Sequence, residues 1–267
     1  MFQIELGKKT VKTDRAALVM GIVNATPDSF FEQSRGGVER AFDLINQEAD
    51  IIDIGGESTR PGFTPISADE EIKRIIPIIR EIRKQSDIPI SVDTTKLEVF
   101  AAAFSEGADI WNDVMSLSGK TCGQDCSVND ECVEFVAKSG VTVVLMHNGP
   151  GGVKTVNNFL NQRAEYCISH GISKEKIIVD PGIGFYKTNQ ESIALIKNTD
   201  KICDGRYTIL MALSRKRCIG EMTGKTADKR LAGTLAADMI SVQKGAKIIR
   251  VHDVSEAIDT LKVMKYL

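Results

Sequence analysis

Nine residues whose side chains can do chemistry stand at or just after short β-branched and aliphatic runs: Asn24, Asp93, Asn112, His147, Asp180, Ser214, Lys216, Arg250 and His252. A further polar stretch, Glu57-Ser58-Thr59-Arg60-Pro61-Gly62, follows the run Ile51-Ile52-Asp53-Ile54-Gly55-Gly56. Taken singly each has a plain structural reading, since an Asp after a strand is most often a helix cap and a His there is more often structural than catalytic. Together they form a set. Asp93, Asn112 and Asp180 supply carboxylates that accept paired N–H bonds and an amide that both donates and accepts, which suits the amino-pyrimidine edge of a flat nitrogen heterocycle. Arg215, Lys216, Arg250 and His252, joined by Arg60, supply cations, and guanidinium forks match phosphate oxygens bidentately. An anionic, phosphorylated ligand follows. Asn24 is a candidate contact for Mg²⁺, which takes a single protein oxygen with waters and phosphate oxygens. No G-x-S-x-G elbow is present and no cysteine stands at a strand end beside a histidine, so covalent catalysis is not expected.

The elements that must position these residues alternate without a break. A hairpin at 2–6 and 10–12, turning at Gly7-Lys8-Lys9, precedes the main fold and is expected to plug or cover one end of it. Strands are then predicted at 17–23, 51–54, 89–92, 109–111, 141–146, 177–179, 208–213 and 248–251. Helices follow at 38–48, 67–84, 96–106, 131–139, 156–170, 191–198, 229–244 and 255–265. Ser67 and Glu70 have capping-box spacing, and Pro77 is expected to bend that helix. Eight strand-then-helix units in about 250 residues are the arithmetic of a single (β/α)8 TIM barrel, spanning 1–267 as one domain, whose active site lies at the C-terminal ends of the strands. A doubly wound open sheet is the alternative fold.

Composition narrows the ligand. Lys plus Arg at 34 against Asp plus Glu at 36 gives a net charge of -2, so no basic field points to nucleic acid or an anionic membrane surface. No window approaches the roughly 18 apolar residues of a membrane span, and the first fourteen residues carry no apolar signal region, so a cytoplasmic protein is expected. Cysteines at 122, 126, 132, 167, 203 and 218 form no C-x-x-C pair and are read as reduced. Cys122, Cys126 and Cys132 are close enough to suggest zinc, but no fourth ligand is near, and a plain loop with free thiols is the simpler reading.

These motifs, in their order, resemble those of dihydropteroate synthase of the folate pathway. The resemblance runs from Met20 to the C-terminus: Gly21-Ile22-Val23-Asn24-Ala25-Thr26-Pro27-Asp28-Ser29-Phe30, Asp53-Ile54-Gly55-Gly56-Glu57-Ser58-Thr59-Arg60-Pro61-Gly62, Ser91-Val92-Asp93-Thr94, Trp111-Asn112-Asp113-Val114, Leu145-Met146-His147, Asp180-Pro181-Gly182-Ile183-Gly184-Phe185, Ser214-Arg215-Lys216 and Arg250-Val251-His252-Asp253-Val254. It implies condensation of 6-hydroxymethyl-7,8-dihydropterin diphosphate with p-aminobenzoate, giving 7,8-dihydropteroate and diphosphate by a dissociative route. It also implies Mg²⁺ at Asn24, a cytoplasmic homodimer and a sulfonamide target. Family roles place Asp93, Asn112, Met146, Asp180, Lys216 and Arg250 at the pterin. Thr59, Arg60, Pro61, Phe185, Ser214 and Lys216 fall at p-aminobenzoate, and Asn24, Arg60, Arg250 and His252 at diphosphate. Asp28, Arg60, Lys216 and Arg250 would carry catalysis, with Asp28 stabilising a cationic pterin.

Ala25, the 31–35 segment, Tyr186, Arg217 and Cys218 depart from the family pattern, and Tyr186 and Arg217 bear on sulfonamide sensitivity. Two competing readings share the pterin-reading positions. A methyltetrahydrofolate-binding corrinoid methyltransferase has no need of the cations at Arg60 and at 214–216. A non-catalytic pterin-binding protein would be favoured by loss of Asn24, Lys216 or Arg250, and all three are present.

Overall fold

The computed structural model describes residues 1–25, 37–57, 64–120 and 127–266. Antiparallel β1 (Phe2–Leu6) and β2 (Lys9–Thr13) form the expected hairpin. Eight parallel strands follow: β3 (Leu18–Asn24), β4 (Ile51–Gly55), β5 (Ile90–Asp93), β6 (Ile110–Asp113), β7 (Thr142–Met146), β8 (Ile177–Asp180), β9 (Thr208–Met211) and β10 (Ile248–Val251). β10 pairs in parallel with both β9 and β3, which closes the sheet into a barrel and removes the open-sheet alternative.

Every strand of a closed barrel is buried on both faces, and the side-chain period of two sorts its residues. Leu18, Met20, Ile51, Ile110, Val144, Ile178, Leu210 and Ile248 pack together inside the barrel. Their neighbours Val19, Ile52, Trp111, Val143, Ile177, Ile209 and Ile249 pack outside, against the helices. The parity has a consequence for the site. Two residues further along, the inward series reads Ile22, Asp53, Asn112, Met146, Asp180, Ala212 and Arg250, with Asp93 two beyond Ser91, so the wholly apolar lower layer gives way to an upper one that carries the polar groups.

The hairpin stoppers the lower end. Ile4 and Leu6 join the inner cluster, Gly7 donates its N–H to Thr142 Oγ1 at 2.9 Å, and Lys9 Nζ bonds Asp109 at 3.0 Å. Gly7 is required there: its φ is +59°, and a Cβ would stand 2.9 Å from the Asp109 carbonyl oxygen.

The helices among the described residues are α1 (Val38–Asn46), α2 (Ala68–Arg83), α3 (Leu97–Ser105), α4 (Asp130–Ser139), α5 (Val153–Ser169), α6 (Asn189–Lys197), α7 (Arg217–Thr223), α8 (Leu231–Gln243) and α9 (Val254–Met264). Three details differ from the sequence expectations. Ser67 caps Glu70 N at 3.2 Å, but the Glu70 carboxylate turns to Arg74 Nε at 3.0 Å, so only half of the box forms. A full box forms instead at Thr188 and Glu191, in front of α6. The 208–213 strand ends at Met211, and the short α7 occupies part of the stretch expected as loop. α2 contains Pro77 in its interior.

Candidate active site

Ladder register brings the strand ends to one level. Asn24 pairs with Gly55, Gly55 with Asp93, and Asp93 with Asn112, so residues from four different strands meet at the upper rim. The convergence expected from the sequence is present here. Arg250, 157 residues from Asp93 in the chain, reaches up the barrel interior and donates Nη2 to Asp93 Oδ2 at 2.8 Å. Its Nε donates to Asp53 Oδ2 at 2.6 Å. Asn112 Nδ2 lies 3.3 and 3.4 Å from the two oxygens of the same Asp53.

The network is incomplete in one respect. Asp93 Oδ1 and the neighbouring Ser91 Oγ are buried and take no hydrogen-bond partner among the described residues. A buried carboxylate oxygen without a donor is costly, roughly 1–3 kcal/mol or more when charged, and marks a place where a ligand N–H belongs. Burial pushes the Asp93 carboxyl up to about 7; Arg250 opposes the shift and the charge of Asp53 adds to it.

On the opposite side Asp180 Oδ1 accepts Gly182 N–H at 2.7 Å, and burial raises its carboxyl, with Lys216 opposing. Lys216 Nζ donates to the Ile183 carbonyl and stands 5.1 Å over the Phe185 ring. Burial lowers its ammonium to about 8 against the pull of Asp180. Met146 packs with Val114, Met115 and Phe185 in an apolar wall separate from the barrel cores. Ser214 Oγ lies 2.9 Å from His252 Nδ1 and accepts the His252 backbone N–H at 3.2 Å. The rim therefore holds a flat apolar wall, buried hydrogen-bond readers and cations, the set a charged heterocyclic substrate needs.

Residues 20–252 match the pterin binding enzyme family. The chain belongs to that family. It is 38% identical to the dihydropteroate synthase of Streptococcus pyogenes serotype M6, over 99% of this chain and all of that one. Among solved structures it is similar to Xanthomonas albilineans dihydropteroate synthase with 4-aminobenzoic acid, with a TM-score of 0.88 and 37% identity over 99% of this chain and 97% of that one. It is also similar to the same organism's enzyme in complex with 7,8-dihydropteroate, with a TM-score of 0.84, 35% identity and the same coverage. Within the pterin-binding family the chain is thus a dihydropteroate synthase homologue along almost its full length, as the motifs had implied.

Against this family frame, the positions expected from the sequence divide. Asn24, Asp93, Asn112, Met146, Asp180, Phe185, Ser214, Lys216, Arg250 and His252 all stand at the upper ends of barrel strands or in the loops after them. Asp28, Thr59, Arg60 and Pro61 lie outside the described residues, as do Cys122 and Cys126. Cys132 is a buried free thiol. Arg215 is corrected: its guanidinium grips Asp253, Nε to Oδ2 at 3.0 Å, on a backbone at φ +58°, so it braces the loop after β9, while Lys216 feels the charges of Asp180 and Asp93.

Two carboxylates that tie the rim together carry no role in the sequence reading. Asp53 lies within the run 51–56, yet it is the carboxylate that joins Arg250 to Asn112. Its even spacing from Ile51 and Gly55 was the available signal. Glu57 was also unassigned: Oε1 takes Ile66 N–H at 2.7 Å and Lys96 Nζ at 2.9 Å, tying the two ends of the 57–66 segment to α3's N-terminus, while Lys96 also holds Glu71 at 2.7 Å. At the outer edge Tyr186, 47% exposed with φ +52°, and Arg217, bonded to the Lys187 carbonyl at 3.2 Å, extend past Phe185. Cys218 is turned into the core.

Proposed function

We infer that the chain is a transferase, a dihydropteroate synthase that condenses 6-hydroxymethyl-7,8-dihydropterin diphosphate with p-aminobenzoate to 7,8-dihydropteroate and diphosphate. The observation that carries this reading is the buried Asp93 Oδ1, without a partner among the described residues, at the rim that also holds Asn112, Asp180 and the Met146 wall. That oxygen is where the pterin amino edge would donate, with Asn112 and Asp180 completing the edge, Lys216 and Arg250 flanking the ring, and Met146 against its face. Diphosphate would fall to Arg60, Arg250, His252 and Asn24. Thr59, Arg60, Pro61, Phe185, Ser214 and Lys216 would receive p-aminobenzoate, the place where sulfonamides would compete.

The residues also fit a magnesium ion. Asn24 offers one amide oxygen at the rim, and among the described residues no group of three or more His, Cys, Asp or Glu could cage a metal. That donor set suits Mg²⁺ arriving with phosphate oxygens and water, and the ion would supply charge neutralisation on the departing diphosphate. The protein's own groups do the rest. The pterin methylene–oxygen bond breaks with its electron pair leaving on diphosphate, held by the cations. Asp28 would stabilise the resulting pterin cation, and the neutral arylamine nitrogen forms the new C–N bond and releases one proton. No nucleophile from the protein is called for.

The 1–267 span acts as one pterin-binding domain in this reading. Homodimer assembly and cytoplasmic location belong to it on the strength of the family resemblance. No helix among the described residues is long and apolar enough to cross a membrane. The test is to incubate purified protein with the pterin diphosphate, p-aminobenzoate and Mg²⁺ and follow diphosphate and dihydropteroate together. Equal formation of both is expected. Tight pterin binding without release would make the chain a binding protein.

A further inference from the structure

We propose that Asp53 is a positioning residue for the condensation, holding Arg250 in place so that Asp93 is free to read the pterin. Three strands meet at the Asp53 carboxylate: its own β4, β10 through Arg250 and β6 through Asn112. It is fully buried at the centre of β4, its Oδ2 takes Arg250 Nε at 2.6 Å and lies 2.6 Å from Nη2, and Asn112 Nδ2 approaches both of its oxygens. Arg250 Nη2 reaches Asp93 as well, at 2.8 Å, and Nη1 has no partner among the described residues. Without Asp53 the only carboxylate left on Arg250 among the described residues is Asp93. A guanidinium and a carboxylate alone in a buried site close on each other as a bidentate pair, which would take up Asp93 Oδ1 and turn the terminal nitrogens away from diphosphate. Asp53 therefore separates two tasks, anchoring the arginine through its Nε edge and leaving both the Asp93 oxygen and Nη1 for substrates. It also orients the Asn112 amide, because an amide whose NH2 faces Asp53 turns its oxygen elsewhere.

The arrangement leaves an electrostatic signature that packing alone would not. Asp93 is faced by Arg250 from β10, Asp53 from β4, Glu71 from α2, Asp113 from β6 and Lys216 after β9. Removing the charge of Asp53 takes away a neighbour that raises the Asp93 carboxyl and releases a cation that lowers it, and both changes act in the same direction. An acid limb set by Asp93 in kcat/KM for the pterin diphosphate must then move to lower pH.

The proposal rests on the proposed condensation, and turnover by the unmodified protein checks that reading first, so the two can fail separately. Asp53→Asn keeps shape and an acceptor. It is expected to lower kcat/KM for the pterin diphosphate more than tenfold, to shift the acid limb to lower pH, and to be non-additive with Arg250→Lys. Asp53→Glu keeps the charge but displaces the acceptor by one methylene, and is expected to lose kcat/KM with its acid limb unmoved. An acid limb in Asp53→Asn matching that of the unmodified protein, or losses that simply multiply in the double variant, would overturn the proposal. If Asp53→Asn does not fold, full activity in Asp53→Glu has the same force.

Discussion

Lys187, 2% exposed, donates its ammonium to the His147 carbonyl at 3.0 Å and lies 3.1 Å from Nδ1 of the same histidine, binding the end of β7 to the loop after β8. A third bond reaches the Gly149 carbonyl at 3.1 Å. The two loops are pressed together so closely that Gly182, at φ +70°, would put a Cβ 2.1 Å from the His147 oxygen. This clamp sets the distance between Met146 on one side and Phe185 on the other.

Lys187→Met keeps the aliphatic stem and strands the carbonyl acceptors. A loss of about 1–3 kcal/mol in unfolding free energy is expected, read as a lower urea midpoint at unchanged slope. A midpoint equal to that of the unmodified protein would show that the lysine only fills space.

The same pair makes stability fall in acid. Burial first, and then the charge of Lys187, push the His147 imidazole down to about 4 from an ordinary 6.5. The unfolded chain binds that proton more readily, so this contribution is complete above the unfolded value and is lost as pH falls toward 4. Stability measured between pH 6.5 and 4 should drop less steeply in His147→Asn.

Asp238, on the inner face of α8 against α9, is 2% exposed, and among the described residues neither carboxyl oxygen has a partner. Burial raises its carboxyl well above the usual range. The native state therefore holds a proton the unfolded chain has lost, and stability declines as pH rises from the unfolded value through the folded one. Replacement by leucine, of similar branching, is expected to raise stability by about 1–3 kcal/mol at neutral pH and to flatten that decline. Chemical denaturation at several pH values checks it; a destabilised Asp238→Leu would mean the acid is satisfied in solution.

Cys132, Cys167, Cys203 and Cys218 are buried free thiols, and burial pushes the first three up to about 12, 11 and 12. A thiolate is the reactive form. All four should react with a thiol reagent at neutral pH only when the protein is unfolded, which mass mapping of modified peptides will show. Modification of any of them in the native protein would overturn that expectation.

Arg60→Ala tests the division of the site. A loss in kcat/KM for p-aminobenzoate of more than tenfold, about 1.4 kcal/mol, is expected, with pterin binding much less affected. Equal losses in both would place Arg60 at the pterin.

Much of this was legible without coordinates. Eight alternating units imply a parallel barrel, and a barrel puts strand ends on one rim, so Asp93, Asn112, Asp180, Lys216 and His252 could be gathered from their positions after apolar runs. The chemistry of those side chains then pointed to a phosphorylated heterocycle. What sequence left open was which face each strand residue takes. Strands such as Ile51–Gly55 are buried on both sides, so hydrophobicity does not separate inside from outside, and Asp53 carries no sign of which face it takes. Only barrel closure settled that parity. Ion-pair choice was likewise tertiary: Arg215 and Lys216 are adjacent in the chain, yet one is spent on Asp253 and the other stands over Phe185. The partners that decide this lie 38 residues away for Arg215 and 197 for the Asp53–Arg250 pair, distances across which no local pattern carries information.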